Sequence, residues 1–350
     1  MNKAHVSPIR LSPTLKSSLR PAYYLLLAAT GMFRSRVRVV CLETSSMCNC
    51  RCPMCAVPLL KRSKGLMTYE NFCTIAQKLP PSLRQLKLAY AGEPLLNPDI
   101  FKMVRYFRTL NKTAVVRIST NGTRLDQFDP KEILESGVSQ LDVAIEGSTA
   151  EVHEDYRRGS SFDSVCASLA KLCACKRQLG LQTPTIVQMT LLHKESVRQL
   201  ADVKKLAKEL GVDELHLRYM VIPWMGLRHQ NAQGSIYDHL NSTEMDGWSD
   251  KYLAPEQYAF YETHKGSLRI RQEQNRCYSF IMPLVLFNGD TTVCSHDGDG
   301  AIVFGNLLKD SFDTVISKMP ALRVWLRNLS ICKSCAMSNL DLNYEEIDMR

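Results

Sequence analysis

The sequence has 350 residues, 45% hydrophobic and 23% charged, with a formal net charge of +9. It suits a globular chain with one large domain or two unequal ones. The apolar run at residues 22–30 is shorter than the roughly 20 residues of a membrane-spanning helix, and no other window approaches that length. Thirteen irregularly spaced cysteines, an odd number, argue against a disulfide framework and for a reducing, cytoplasmic location.

In chain order, residues 1–37 are expected as a basic extension with a short helix. Lys3, Arg10, Lys16, Arg20, Arg34, Arg36 and Arg38 all precede the first acidic residue. A solvated tail is the common meaning of such a segment, and weak contact with a membrane surface or an anionic substrate is the alternative. Basic residues ahead of an apolar run also fit a secretory signal. Short β-branched runs then alternate with helical patterns. Residues 37–44 read as a strand, 68–79 as a helix, 85–92 as a strand, and 97–110 as a helix with Asn97 as cap and Pro98 in its first turn. Strands are expected at 114–120 and 140–146. Helices are expected over 129–137, capped by Asp129 and closed at Gly137, and over 162–180, ending at Gly180. A strand at 184–192, a helix at 195–211 and a strand at 214–222 complete a series of six strands. This predicts a parallel α/β sheet or open barrel with ligands at the C-terminal strand ends.

The pattern changes after residue 222. A connecting segment over 223–276, rich in Trp and Tyr, leads to a small α+β unit at 277–350. Within that unit, two short strands joined by Asn288-Gly289 read as a hairpin, followed by a helix at 311–328.

Cys48, Cys52 and Cys55 form C-x3-C-x2-C in the loop after the first strand. Thiolates this close converge on one metal centre, and three of them leave one iron of a cubane without a protein ligand. Structural zinc wants four closed ligands, which requires Cys50 at an awkward C-x-C-x-C spacing. The motif, its position and the flanking ETSSMCN (43–49) resemble the radical S-adenosylmethionine (SAM) superfamily. The resemblance implies a partial (β/α)6 barrel in which the cluster's open iron is chelated by the amino and carboxylate groups of SAM. Electron transfer then generates a 5′-deoxyadenosyl radical.

Further segments resemble the family in order over roughly residues 38–220. AGEP (91–94) is similar to the family's GGEP loop, with Ala91 for its first glycine, and implies that Gly92, Glu93 and Pro94 contact the amino group of the cofactor. STNG (119–122) implies that Ser119 and Asn121 lie near the ribose and carboxylate. VAIEG (143–147) resembles VSIDG, with Glu146 as hydroxyl acceptor. YRRGSSFD (156–163) resembles YRxGxSFD, in which Arg157 or Arg158 pairs with a carboxylate. Met54 stands where the family has an aromatic residue and covers the adenine edge.

Cys277, Gly289 and Cys294 form C-x11-G-x4-C, and Cys332 and Cys335 form C-x2-C. The hairpin turn brings Cys294 toward Cys277, and four ligands then close on one centre. These spacings resemble the twitch form of the SPASM extension, which implies one auxiliary 4Fe-4S cluster; zinc is the alternative for this set. Cys41, Cys73, Cys166 and Cys173 are expected as core, and Cys50 and Cys175 as structural or spare. His193 is expected either as a satisfied strand-end histidine or facing the substrate. Trp224, Trp248, Tyr252, Tyr258 and Tyr261 fit inter-domain packing or a substrate opening.

The resemblance implies reductive cleavage of SAM and hydrogen-atom abstraction from an unactivated carbon, with a flavodoxin- or ferredoxin-type electron donor. Net oxidation of a small polar or carbohydrate-like substrate, assisted by the auxiliary cluster, is the expected reaction, because some 40 N-terminal residues are short for a leader-peptide recognition domain. Maturation of a peptide or protein is the alternative within the family. A non-catalytic iron-sulfur or zinc protein is the alternative outside it, and the cofactor loops count against that. No nucleic-acid partner is expected.

Overall fold

The computed structural model describes residues 37–53, 55, 57–219, 261–264, 267–270, 282–292, 297–300, 302–326 and 345–348. The basic arm, Met54, Trp224, Trp248, Tyr252, Tyr258 and the auxiliary cysteines Cys277, Cys294, Cys332 and Cys335 lie outside the described residues.

Six strands, β1 (Val39–Leu42), β2 (Gln85–Lys87), β3 (Val115–Thr120), β4 (Gln140–Ala144), β5 (Thr185–Leu192) and β6 (Glu214–Tyr219), pair in parallel in chain order. Their connections carry α1 (Tyr69–Lys78), α2 (Ile100–Leu110), α3 (Pro130–Glu135), α4 (Ala150–Tyr156), α5 (Phe162–Gln178), α6 (Lys194–Arg198) and α7 (Leu200–Leu210). This is an α/β fold on a parallel sheet, the layout of a partial (β/α)6 barrel. Because side chains alternate across a strand, Val40, Leu42, Leu86, Val116, Ile118, Leu141 and Val143 turn to the helices and join one hydrophobic cluster. The alternate positions Lys87, Arg117, Ser119, Gln140 and Asp142 occupy the opposite, inner face.

Local chemistry sets the helix ends. Thr68 caps α1 by accepting from the Asn71 N–H at 3.1 Å, and the helix buries Phe72, Ile75 and Ala76 at the i, i+3, i+4 spacing of one face. Asp129 caps α3 with Pro130 in the first turn, and Ser161 caps α5. Asn97 is not the cap of α2, as its sequence position suggested; Asp99 is, without a side-chain bond. The Asn97 amide instead donates to the Thr44 and Met67 carbonyls at 2.9 and 2.8 Å, tying the start of α2 to the segment after β1. The expected helix at 195–211 is split at Gln199 into α6 and α7, and α4 is an element that its seven residues left unannounced.

The sheet continues beyond the six strands. β9 (Leu284–Val285) runs parallel beside β1, and β10 (Asp290–Thr292) and β11 (Val303–Asn306) follow antiparallel. At the other edge β12 (Glu345–Asp348) pairs antiparallel with β6, while β7 (Tyr261–His264) and β8 (Ser267–Ile270) form a separate hairpin. The expected β9–β10 turn is present, with Gly289 at φ +87° and its N–H donating to Leu286 O at 2.9 Å. α8 (Phe312–Leu326) buries Phe312, Val315, Ile316 and Met319 in the same cluster that fills the six-strand core. Cys173 is buried there, with Cys166 and Cys175 packed against it, whereas Cys41 joins Leu284 and Leu286 on the inner face and Cys73 is half-buried. Among the described residues no helix is long and apolar enough to cross a membrane.

Candidate functional site

The chain leaves β1 through four buried polar residues, Glu43, Thr44, Ser45 and Ser46. Buried polar groups need partners, and these find them in the segments that flank the cysteine loop. Arg62 clasps Glu43 with two bonds of 2.9 and 2.5 Å, and the Phe287 N–H donates to the same carboxylate. Arg62 Nε reaches Gly298 O, while the Lys61 and Arg62 N–H groups both donate to Asp299. Ser46 exchanges bonds with Gly65 at 3.1 and 2.7 Å. The loop that carries Cys48, Cys52 and Cys55 is thus pinned at its root, and through Lys61 and Arg62 to Gly298 and Asp299.

Within the loop, Cys48, Cys52 and Cys55 are half-buried and Cys50 is buried. A turn closes from Cys55 N to Cys52 O at 3.0 Å. The Cys48 thiol is pushed down to about 6, first by a hydrogen bond from the Cys50 side chain, then by the Cys50 N–H, the Arg157 charge and the Asn121 amide, against the opposing effect of burial. Burial raises Cys52 to about 11 and raises Cys55 as well, with Arg157 opposing both. Cys48 and Cys50 are brought together; among the described residues no three His, Cys, Asp or Glu side chains stand in a finished metal-ligand group.

The loops after β2 and β3 close over the thiols. Glu93 is buried and accepts from Thr120 Oγ1 at 2.5 Å, Asn121 N at 2.7 Å and Leu95 N at 2.9 Å. Burial nevertheless holds its carboxyl up to about 7. Pro94 begins a short 3-10 turn whose cap is Glu93. The Asn121 amide donates to Cys50 Sγ at 3.2 Å, Cys48 Sγ at 3.7 Å and Asn49 Oδ1 at 3.0 Å. Ser119 turns instead to Asp142 on β4 at 2.6 Å. Gly92 packs so closely that a Cβ there would stand 2.3 Å from Ser45 O and 2.5 Å from Met47 O, both backbone atoms. Gly92→Ala should therefore displace the root of the cysteine loop and weaken cluster retention about tenfold or more. Iron remaining after a timed chelator challenge measures this; full retention would show that the loop can yield.

At the end of β4, Glu146 is fully buried. Its Oε1 accepts from Arg157 Nη2 at 2.6 Å and Nε at 3.0 Å, and its Oε2 accepts from Leu191 N at 2.7 Å. Of the two arginines, Arg157 turns inward, where it meets the protein's own carboxylate, Glu146. Arg158 reaches Asp155 O at 3.3 Å on the surface. His153 Nδ1 accepts from Glu146 N, so the neutral ring presents Nε2–H to Ser160 Oγ; burial and Arg157 lower its pKa to about 4. His193 is 2% exposed and stacks on Tyr156 with centroids 5.3 Å apart. Sequence reasoning did not single out Asn49, Arg62, His153, Lys87, Arg117 or Asp142. The polar alternation within QLKL and VVRIST was the signal for two of them.

Residues 42–223 match the family model described as the Radical SAM superfamily. The chain belongs to that superfamily. Membership implies a 4Fe-4S cluster and SAM. Three half-buried thiols in one pinned loop, beside the half-buried Arg157 cation and the amide of Asn121, are a donor set that fits such a cluster. The AdoMet-dependent heme synthase of Methanosarcina barkeri is 25% identical over 205 residues, 58% of this chain and 56% of that protein. The chain spans about half the length of this and of a second curated relative, the tungsten-containing aldehyde ferredoxin oxidoreductase cofactor-modifying protein of Pyrococcus furiosus. Mycofactocin maturase MftC of Mycobacterium ulcerans is 26% identical over 315 residues, 85% of this chain and 80% of its own. The crystal structure of Streptococcus suis SuiB bound to precursor peptide SuiA aligns with a TM-score of 0.58 at 12% identity, over 96% of this chain and 78% of that one. That likeness is one of fold.

Proposed function

We propose that Cys48, Cys52 and Cys55 hold the 4Fe-4S cluster of this radical SAM enzyme, and that it abstracts a hydrogen atom from a small polar or carbohydrate-like substrate in a net oxidation. The observation that carries this is the meeting of three loops at one end of the sheet. Asn121 bonds through its side chain to the Cys48 and Cys50 sulfurs and through its backbone to Glu93. When bound, the cluster and SAM supply reductive cleavage to a 5′-deoxyadenosyl radical.

The chain's own residues place and balance these groups. Gly92, Glu93 and Pro94 shape the wall for the amino group of SAM, Met54 covers the adenine edge, and Ser119 and Glu146 order the floor through Asp142 and Arg157. Arg157 offsets thiolate charge, and Asn121 donates to the sulfurs. Arg158 has no role in this scheme. Cys277, Cys294, Cys332 and Cys335 would hold one auxiliary 4Fe-4S cluster in a twitch/SPASM-like unit at 277–350, a reading supported by their spacing about the Asn288-Gly289 turn, and that group would supply an acceptor for the electron of the net oxidation. A flavodoxin- or ferredoxin-type protein supplies the reducing electron.

Anaerobic reconstitution of the wild type should incorporate about eight irons and eight sulfides per chain. The Cys294→Ala/Cys335→Ala variant should keep about four and still form 5′-deoxyadenosine. Stoichiometric zinc with little iron would overturn both cluster assignments.

A second reading, maturation of a peptide, is favoured by the mycofactocin maturase match over 85% of the chain. A short precursor encoded beside this gene, modified on incubation with the reduced enzyme and SAM, would replace the small-molecule reading.

A further inference from the structure

Glu43 directly follows β1, which lies between β2 and β9 in the sheet, so its carboxylate stands within reach of the segments that follow both neighbours. On the β2 side it accepts from the N–H of Ala91, the first residue of the AGEP segment. On the β9 side it accepts from Phe287 N at 3.2 Å, and its own N–H donates to Val285 O at 2.8 Å. Arg62 engages both carboxylate oxygens and extends Nε to Gly298 O at 2.6 Å. The turn at residues 297–300 answers with Asp299 Oδ1, which accepts from Lys61 N at 2.7 Å and Arg62 N at 3.0 Å. The Phe287 ring closes on Gly65, where a Cβ would stand 2.7 Å from Cε2. Glu43 is 0% and Arg62 9% exposed at the side chain, so these bonds are made where water is a poor substitute. The AGEP segment hangs from the residues after β1 by two amides, Ala91 N on Glu43 and Glu93 N on Met47 O at 2.7 Å. A continuous chain of bonds therefore runs from Gly298 and Asp299 through Arg62 and Glu43 to Ala91.

We infer that Glu43 and Arg62 are positioning residues for SAM, and that they make its affinity depend on the placement of the turn at residues 297–300. The inference rests on the proposed function, in that the AGEP segment is the wall for the amino group of SAM. It adds two residues with no contact to SAM in that scheme, both acting through the Ala91 amide. Arginine suits the task because its planar fork holds both carboxylate oxygens while Nε points elsewhere, which a lysine cannot reproduce. The turn follows Cys294 in sequence, so a displacement of that stretch reaches the SAM wall through packed, hydrogen-bonded groups without touching it.

The test titrates anaerobically reconstituted, unreduced enzyme with SAM calorimetrically, and follows the change that SAM makes in the electron paramagnetic signal of the reduced cluster. Glu43→Gln/Arg62→Met removes the clasp without leaving a buried charge unpaired, so it should load iron as the wild type does and weaken SAM binding about tenfold. Asp299→Ala, which frees the Lys61 and Arg62 N–H groups, should weaken it about threefold or more. Added to the double variant it should cost little further, because both cut one chain of contacts. Lys176→Met is the control. Lys176 and Asp213 form a buried ion pair just before β6, at the other end of the sheet, so the urea midpoint should fall while SAM affinity stays within about twofold. If the double variant loads no cluster, Asp299→Ala decides alone, and its own failure to load would place the clasp under the thiol loop and overturn the inference. SAM affinity within about twofold of the wild type in either loaded variant, or an equal loss in Lys176→Met, overturns it as well. Failure of the proposed function would show separately, as a wild type that loads no cluster or forms no 5′-deoxyadenosine.

Discussion

Replacing Cys48, Cys52 and Cys55 together by alanine should reduce reductive formation of 5′-deoxyadenosine to background, because no iron then remains to receive SAM. The same variant should keep only the auxiliary iron, about half the wild-type content, and its SAM-dependent electron paramagnetic signal should vanish. Cys50→Ala is the informative control. Cys50 is buried and stands between Cys48 and Cys52 in sequence, and its side chain and N–H both lower the Cys48 thiol. On the assignment made here Cys50 is a donor to a ligand sulfur, so its loss should leave iron content near that of the wild type and shift the cluster potential, as changes in hydrogen bonds to cluster sulfurs do. Loss of the cluster in Cys50→Ala with retention in Cys55→Ala would reassign the ligand set.

The sequence made the parallel series and the thiol loop legible because both are local. Period-2 apolar runs of four to eight residues, caps such as Thr68, Asp129 and Ser161, and glycines at positive φ act within a few positions of themselves. Less was legible where long-range pairing decides. That β9 lies beside β1 follows from the register of Cys41 with Leu284, across more than two hundred residues, and no local pattern announces it. Asn97 reads as a helix cap from its neighbours, but the Thr44 and Met67 carbonyls compete for its amide and win. Glu146 reads as a hydroxyl acceptor by likeness to an aspartate. Its extra methylene carries the carboxylate to Arg157 and to the Leu191 N–H, so both oxygens are already engaged within the protein.

That exchange makes Arg157 the side chain with the largest expected effect outside the thiols. Glu146 is 0% exposed, and Arg157 Nε and Nη2 are the side-chain donors to its Oε1, so Arg157→Met leaves a buried carboxylate oxygen with no counter-charge. Removing one partner of a buried pair costs about 3–5 kcal/mol, which urea unfolding should register as a lower midpoint with unchanged slope. Arg157 also draws the Cys48, Cys52 and Cys55 thiols toward ionisation, so cluster loading should fall as well. Arg157→Lys should restore little, since an ammonium cannot reproduce two donors fixed in one plane. Glu146→Gln/Arg157→Met should recover most of the stability by removing the uncompensated charge, but not the cluster loading, because the cation beside the thiols stays absent. Arg158→Ala, whose guanidinium meets a surface carbonyl, should change stability by no more than about 0.5 kcal/mol. A wild-type midpoint in Arg157→Met, or an Arg158→Ala variant more damaged than it, would show that the buried pair does not organise this end of the sheet.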